Sequence, residues 1–280
     1  MSLEKALLDT LKYSHTFKFP LTADEIYKYL IGEEIFSYKK IKNALETLVI
    51  RGTIKRTEGY YFLATGEEIW VENREKYRKM YEKVINTVVA DLAFLKKIPC
   101  VKFVGITGSV AAKNLYDNHD VDLFLITSKY ALWITRAIVV ILLKRRGLYK
   151  KPYCPNIYTS LDNLIWDSKN VYIANEIVRV VPLINKDYAF EKFLKKNSWI
   201  LTFLPNFKHY LPKFNLKRDR NNFNWLILPL EVLVFIFQFI YMRRKITSEK
   251  IGFKRVMFLK NDYSKAILGE FKLNSSKYID

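Results

Sequence analysis

Residues 101–127 read VKFVGITGSVAAKNLYDNHDVDLFLIT. Two apolar runs, Val101–Ile106 and Val121–Thr127, read as strands, and Val121, Leu123, Phe124, Leu125 and Ile126 are strand formers that prefer a half-buried, pleated environment. Asp120 and Asp122 open the second run one residue apart. Side chains alternate along a strand, so both carboxylates project to the same face. Acidic side chains are almost never fully buried without a partner, and two together repel. A divalent cation removes the conflict, since Mg²⁺ is held by one or two carboxylates plus substrate phosphates. The sequence therefore predicts a cation site, Mg²⁺ or Mn²⁺, at Asp120 and Asp122.

Between the runs, Gly108 and Ser109 end the first strand, and Val110–Leu115 reads as a short helix. Glycine tolerates positive φ and lets a ligand approach the backbone closely. The amides that open a helix attract anions. Gly108 and Ser109 are thus the candidate phosphate-binding residues, beside the candidate metal-binding pair.

The rest of the chain sets the frame. Its 280 residues are half apolar, enough for one large domain or two or three smaller ones, and nine Gly and eight Pro argue against a low-complexity protein. A net charge of +19 favours polyanionic partners such as nucleotides, nucleic acid or an anionic membrane face. Two cysteines, Cys100 and Cys154, make neither a disulfide framework nor a zinc site. The opening MSLEKALLDTLKY lacks a signal-peptide pattern, so a reducing cytoplasm is the expected compartment.

Residues 1–65 read as three helices and a hairpin. Leu3, Ala6, Leu7 and Leu11 recur at helical spacing. Thr22-Ala-Asp-Glu25 is a capping box. A third helix after Ser37 carries an apolar stripe at Ile41, Ala44, Leu45, Leu48 and Val49, and Glu58-Gly59 is a hairpin turn. This order resembles a winged helix. In DNA-binding members the third helix enters the major groove, which would place Lys39, Lys40, Lys42, Lys55 and Arg56 near nucleic acid. A charged linker helix over 66–96 leads into the central segment, taken as 66–165. Residues 166–280 are expected to be mainly helical, including a helix at NSWILTFLPNF. Within them, WLILPLEVLVFIFQFIYM (225–242) is close to the length of a membrane span and is followed by Arg243, Arg244 and Lys245. Glu231, Gln238 and Pro229 within it favour a buried core helix instead. Membrane association is not expected.

The succession of apolar strand, Gly-Ser, short helix and Asp-Val-Asp on a second apolar strand resembles the nucleotidyltransferase superfamily that includes DNA polymerase β. Nearly the whole chain is similar to a group of prokaryotic nucleotidyltransferase-domain proteins. That likeness rests on FKFPLTADEIYKYL, the central segment, Trp133 and Arg136, KPYCPNIYTS, NSWILTFLPNF and a C-terminal helix. The resemblance implies an α+β fold: an N-terminal winged-helix-like domain, a central mixed sheet and a helical C-terminal region. It also implies that Gly108 and Ser109 hold the phosphates of a nucleoside triphosphate, such as ATP, and that Asp120 and Asp122 bind Mg²⁺ and are catalytic. The expected reaction is transfer of a nucleoside monophosphate to a hydroxyl acceptor, with pyrophosphate leaving. Members usually carry a third carboxylate on a later strand. The matching strand here, PNIYTSL, offers Asn156, with Asp162 a few residues on. Loss of that carboxylate favours an alternative, a nucleotide-sensing, DNA-binding regulator with a weak or inactive transferase domain. Lys113, Asn114 and His119 are further candidates for phosphate contact, and Arg136 for a buried pair with an anion.

Overall fold

The computed structural model describes residues 1–115, 120–212, 224–243, 250–258 and 266–271, with the backbone alone at 224 and 225. Three helices and a small sheet form the N-terminal unit. Helix α1 (Leu3–His15) buries Ala6, Leu7 and Leu11, and α2 (Ala23–Lys28) follows strand β1 (Leu21–Thr22). The capping box forms as expected. Thr22 Oγ1 accepts the Glu25 amide at 3.2 Å, and the Glu25 carboxylate accepts the Thr22 amide at 3.1 Å. Helix α3 (Tyr38–Ile50) buries Ile41, Leu45 and Leu48. Strands β2 (Ile54–Thr57) and β3 (Tyr60–Leu63) meet through Glu58 and Gly59, both at positive φ as a tight hairpin requires. Strand β1 adds to β3, giving the order β1-β3-β2.

Helix α4 (Ile69–Leu92) links this unit to the larger one. Near its start it buries Trp70, Val71 and Arg74, and near its end Val88 and Leu92. The Arg74 guanidinium lies 3.8 Å from the centre of the Phe19 ring and pairs with Glu25. The central elements follow: β4 (Val101–Thr107), α5 (Gly108–Ala111), β5 (Val121–Thr127), α6 (Leu132–Arg145), β6 (Tyr153–Ser160), α7 (Val171–Arg179), β7 (Val181–Asn185), α8 (Ala189–Lys196), α9 (Leu228–Arg243), β8 (Lys250–Ile251) and β9 (Arg255–Met257). Six strands lie in the order β7-β4-β5-β6-β9-β8. Strands β5 and β6 run parallel and the other neighbours antiparallel, so the fold is mixed α and β around a mixed sheet. Both faces of β5 are covered. Leu123 and Leu125 join the core under α4 and α6, while Phe124 and Ile126 join the core under α7 and α8. That explains its unbroken apolar run.

Residues after 165 also supply β7, β8 and β9, which complete the sheet. Two expectations change. The stretch NSWILTFLPNF is two short 3-10 turns, Ser198–Thr202 and Pro205–Tyr210. There the buried Asn197 side chain ties three segments together. It accepts from the Trp166 amide and donates to the Leu164 and Phe193 carbonyls, each at 2.8 Å, and Pro205 prevents helix continuation. Helix α9 is not a core helix. Of its 16 residues only Glu231 and Met242 are buried.

Glu231 explains how α9 is attached. No side chain of the adjoining loop caps α6. Instead the Glu231 carboxylate, only 1% exposed, accepts the Trp133 amide at 2.7 Å and the Ile134 amide at 2.9 Å. Two unpaired donors at a helix start are thereby satisfied from another helix. Burial pushes this carboxyl up, and the amides oppose the rise. Glu231→Ala is expected to cost about 2 kcal/mol in urea denaturation, with Glu231→Gln losing less because it keeps an acceptor.

Candidate functional site

The site is assembled where β4 turns into α5. Gly108 adopts φ +68°, and a Cβ at this position would lie 2.6 Å from Asp122 Oδ2. Only glycine fits such a backbone against a neighbouring carboxylate. Strand pairing sets this contact, since Thr107 and Asp122 are directly opposed in the β4–β5 ladder. Helix α5 begins at Gly108 itself and ends at Ala111, so it is shorter and earlier than the expected Val110–Leu115. Gly108, Ser109 and Asp122 all line one cavity of about 570 Å³.

Asp120 is exposed just before β5 and close enough to raise the affinity of Asp122 for its proton. Burial is the larger cause, and together they push Asp122 up to about 6. On β6, Asn156 donates through Nδ2 to Asp122 Oδ1. Asn156 falls where the β5–β6 register shifts between Leu123–Pro155 and Phe124–Ile157, and the irregularity brings its amide to the carboxylate. The position expected of a third carboxylate therefore holds a neutral donor that orients Asp122. Asp162 is not a substitute. It sits beyond the other end of β6, paired with Lys254 at 2.8 Å and accepting from Ser160 Oγ at 2.6 Å. Cys154 faces the two aspartates, which, after burial, raise its thiol to about 11.

Sequence reasoning missed Glu176. It projects from α7 into the same cavity, and its carboxylate accepts the Gly108 backbone amide. Burial pushes it up to about 7; Arg179 opposes the rise, Asp122 adds to it and the Gly108 amide opposes it. The available signal was a lone carboxylate in VYIANEIVR, a helix otherwise buried through Val171, Ala174, Ile177 and Val178.

The N-terminal unit closes the cavity. Tyr13, Phe17 and Phe19 line it opposite Phe124, Ile157 and Trp166. Contacts between the units hold that wall in place. Asn206 bonds the Phe36 backbone twice, at 3.0 and 3.1 Å, and the Arg179 guanidinium lies 4.3 Å from the centre of the Tyr29 ring. The other sequence candidates divide. Asn114 lines the cavity and reaches the Phe17 carbonyl at 3.5 Å. Lys113 lies over the Tyr81 ring. Arg136 pairs with the Gln238 amide and lies 4.6 Å from the centre of the Phe258 ring, so among the described residues it meets an amide and a ring rather than a carboxylate. Trp133 is core. His119 lies outside the described residues. Lys39, Lys40, Lys42, Lys55 and Arg56 are exposed, and Arg56 pairs with Glu46 at 3.0 Å.

Among the described residues no group of three or more His, Cys, Asp or Glu side chains is placed to hold a metal ion. The pair Asp120 and Asp122 still fits one Mg²⁺ whose remaining ligands come from substrate phosphate and water. A carboxyl raised by burial and by a neighbouring carboxylate, as Asp122 is, is what a bound cation relieves. Comparison with protein-family models, curated proteins and solved structures gives no match.

The raised carboxyls carry a stability consequence. A folded acid with a raised pKa favours the fold while protonated, and that contribution is lost as pH rises from the unfolded value through the folded one. For Asp122 the loss runs from about 4 to about 6, and for Glu176 from about 4.5 to about 7. Metal-free protein is expected to lose stability between pH 4 and 7, by roughly 2–3 kcal/mol through Asp122. In urea melts without divalent cation, Asp122→Asn should be more stable than native at pH 7 and indistinguishable from it near pH 4.

Proposed function

We propose that the chain is a divalent-cation-dependent nucleotidyltransferase that moves a nucleoside monophosphate from a nucleoside triphosphate to a hydroxyl acceptor. One observation carries the reading: Gly108, at positive φ, lies against the Asp122 carboxylate, so the Gly-Ser turn meets the Asp-Val-Asp segment at Asp122. On this reading the larger unit is nucleotidyltransferase-like and the N-terminal unit winged-helix-like.

Asp120 and Asp122 would hold the Mg²⁺, which, when bound, neutralises phosphate charge. The turn that Gly108 makes would seat the phosphates through the Ser109 amide and hydroxyl, the Gly108 amide being taken by Glu176. Asn156 fixes the rotamer of Asp122. Glu176 supplies from a helix the third carboxylate that β6 lacks, and its raised pKa suits a group that takes the acceptor's proton near neutral pH. The acceptor oxygen forms a bond to the α-phosphorus, the bond to the bridging oxygen of pyrophosphate breaks, and the proton passes to Glu176. The aromatic wall from Tyr13, Phe17, Phe19 and Trp166 suits a base or another flat apolar group beside the phosphates.

Calorimetric titration of each nucleoside triphosphate with Mg²⁺ tests this. Binding should require Mg²⁺ and weaken at least tenfold in Asp120→Asn/Asp122→Asn and in Gly108→Ala. Glu176→Gln should keep binding and lose pyrophosphate release in the presence of a competent acceptor. Unchanged binding in the double aspartate variant would overturn the reading. A second reading, a nucleotide-sensing DNA-binding regulator, draws on the neutral Asn156 and on the exposed Lys39, Lys40 and Lys42 of α3. Nucleotide binding without turnover, together with duplex binding that falls steeply with salt and with Lys→Ala changes there, would favour it.

A further inference from the structure

We propose that the outer face of α9, with the adjoining edge of α6, docks on an anionic lipid surface. The proposal is independent of the chemistry at Asp120 and Asp122. Leu230, Leu233, Phe237 and Tyr241 follow one another at helical spacing on α9, and each is between 54% and 75% exposed. Val232, Ile236, Phe239 and Ile240 widen the stripe to about half the circumference of the helix. Exposed Ile138 and Ile141 of α6 add to it. Monomeric proteins seldom leave so large a continuous apolar patch in water.

The inner face explains why the helix stays where it is. Glu231 caps α6, Gln238 donates to the Trp133 carbonyl at 2.9 Å, Phe235 packs 5.0 Å from the Trp133 ring centre, and Met242 enters the core. The exposed stripe is therefore a fixed surface. No helix among the described residues is long and apolar enough to cross a membrane, and 16 residues of α9 span only about 24 Å against about 30 Å of hydrocarbon. A helix fixed along one side and apolar along the other is suited to lie in the plane of an interface.

Charge selects lipid over a second copy of the chain. Both helices end in exposed cations, Lys144 and Arg145 on α6 and Arg243 on α9. Their sequences contain one carboxylate, Glu231, which is buried. A second copy would bring like charge against like in a chain of net +19, whereas an anionic headgroup layer complements the cations while the acyl boundary takes the apolar stripe.

The test is flotation of the purified full chain with phosphatidylcholine vesicles, with and without phosphatidylglycerol, at low and high salt. Sedimentation of the same protein without lipid accompanies it. The expected result is binding to the anionic vesicles that weakens with salt and falls at least tenfold in Leu233→Ser/Phe237→Ser. Because these positions are exposed, the variant should keep the native melting temperature. Lys144→Glu/Arg145→Glu, which leaves the apolar stripe intact, should also lose the anionic preference. Absence of flotation, or equal flotation of native and variant protein, would overturn the proposal. So would a dimer in lipid-free solution that Leu233→Ser/Phe237→Ser dissociates, since the face would then belong to a second copy.

Discussion

The organising constraint in this molecule is a carboxylate with nowhere else to go. Asp122 stands on a strand covered on both faces, its Oδ2 2.6 Å from where a Cβ of residue 108 would lie and its Oδ1 held by Asn156. The antiparallel pairing of β4 with β5 fixes that position, and glycine at 108 is its direct consequence. Among the described residues no lysine or arginine pairs with Asp122. The nearby charges are Asp120 and Glu176, and each raises its proton affinity or has its own raised by it. Evolution rarely retains such an arrangement in a core for stability alone, because a hydrophobic replacement would be easier to bury. The cost is concentrated at one end of a sheet, beside the cavity, as at a functional site.

The second support lies on the other side of the sheet. Helix α6 has no cap of its own and takes one from Glu231, so α9 is bound to the core through buried polar bonds as well as apolar packing. This separates the two sides of α9. One side is committed to the fold, and the other presents leucine, isoleucine, valine and phenylalanine to the outside. The same carboxylate that made a membrane span implausible in the sequence is what holds the exposed helix in register.

Much of the site was legible because it is local. Gly108, Ser109, Asp120 and Asp122 lie within one strand–turn–strand segment, and alternation along β5 predicts which face the aspartates share. The capping box at Thr22 and the Glu58-Gly59 hairpin were legible for the same reason. Glu176 was not, because α7 brings it to Gly108 only through tertiary packing. Nor was the role of Asn156, which depends on a register shift. Helix α9 was misjudged because an all-round apolar helix reads as buried, and sequence periodicity does not say how many neighbours such a helix has. The strands β7, β8 and β9 are five residues or fewer and lack a sustained alternation, so sheet completion was invisible.

The account rests on Asp120 and Asp122 acting together as one cation site. Titration of the full chain with Mn²⁺, followed by electron paramagnetic resonance of the free ion, reads that directly. With a nucleoside triphosphate present, the site should take up one Mn²⁺ per chain beyond that held by free nucleotide, and Asp122→Asn should abolish the uptake. Native and variant protein leaving the same amount of free Mn²⁺ would contradict the account.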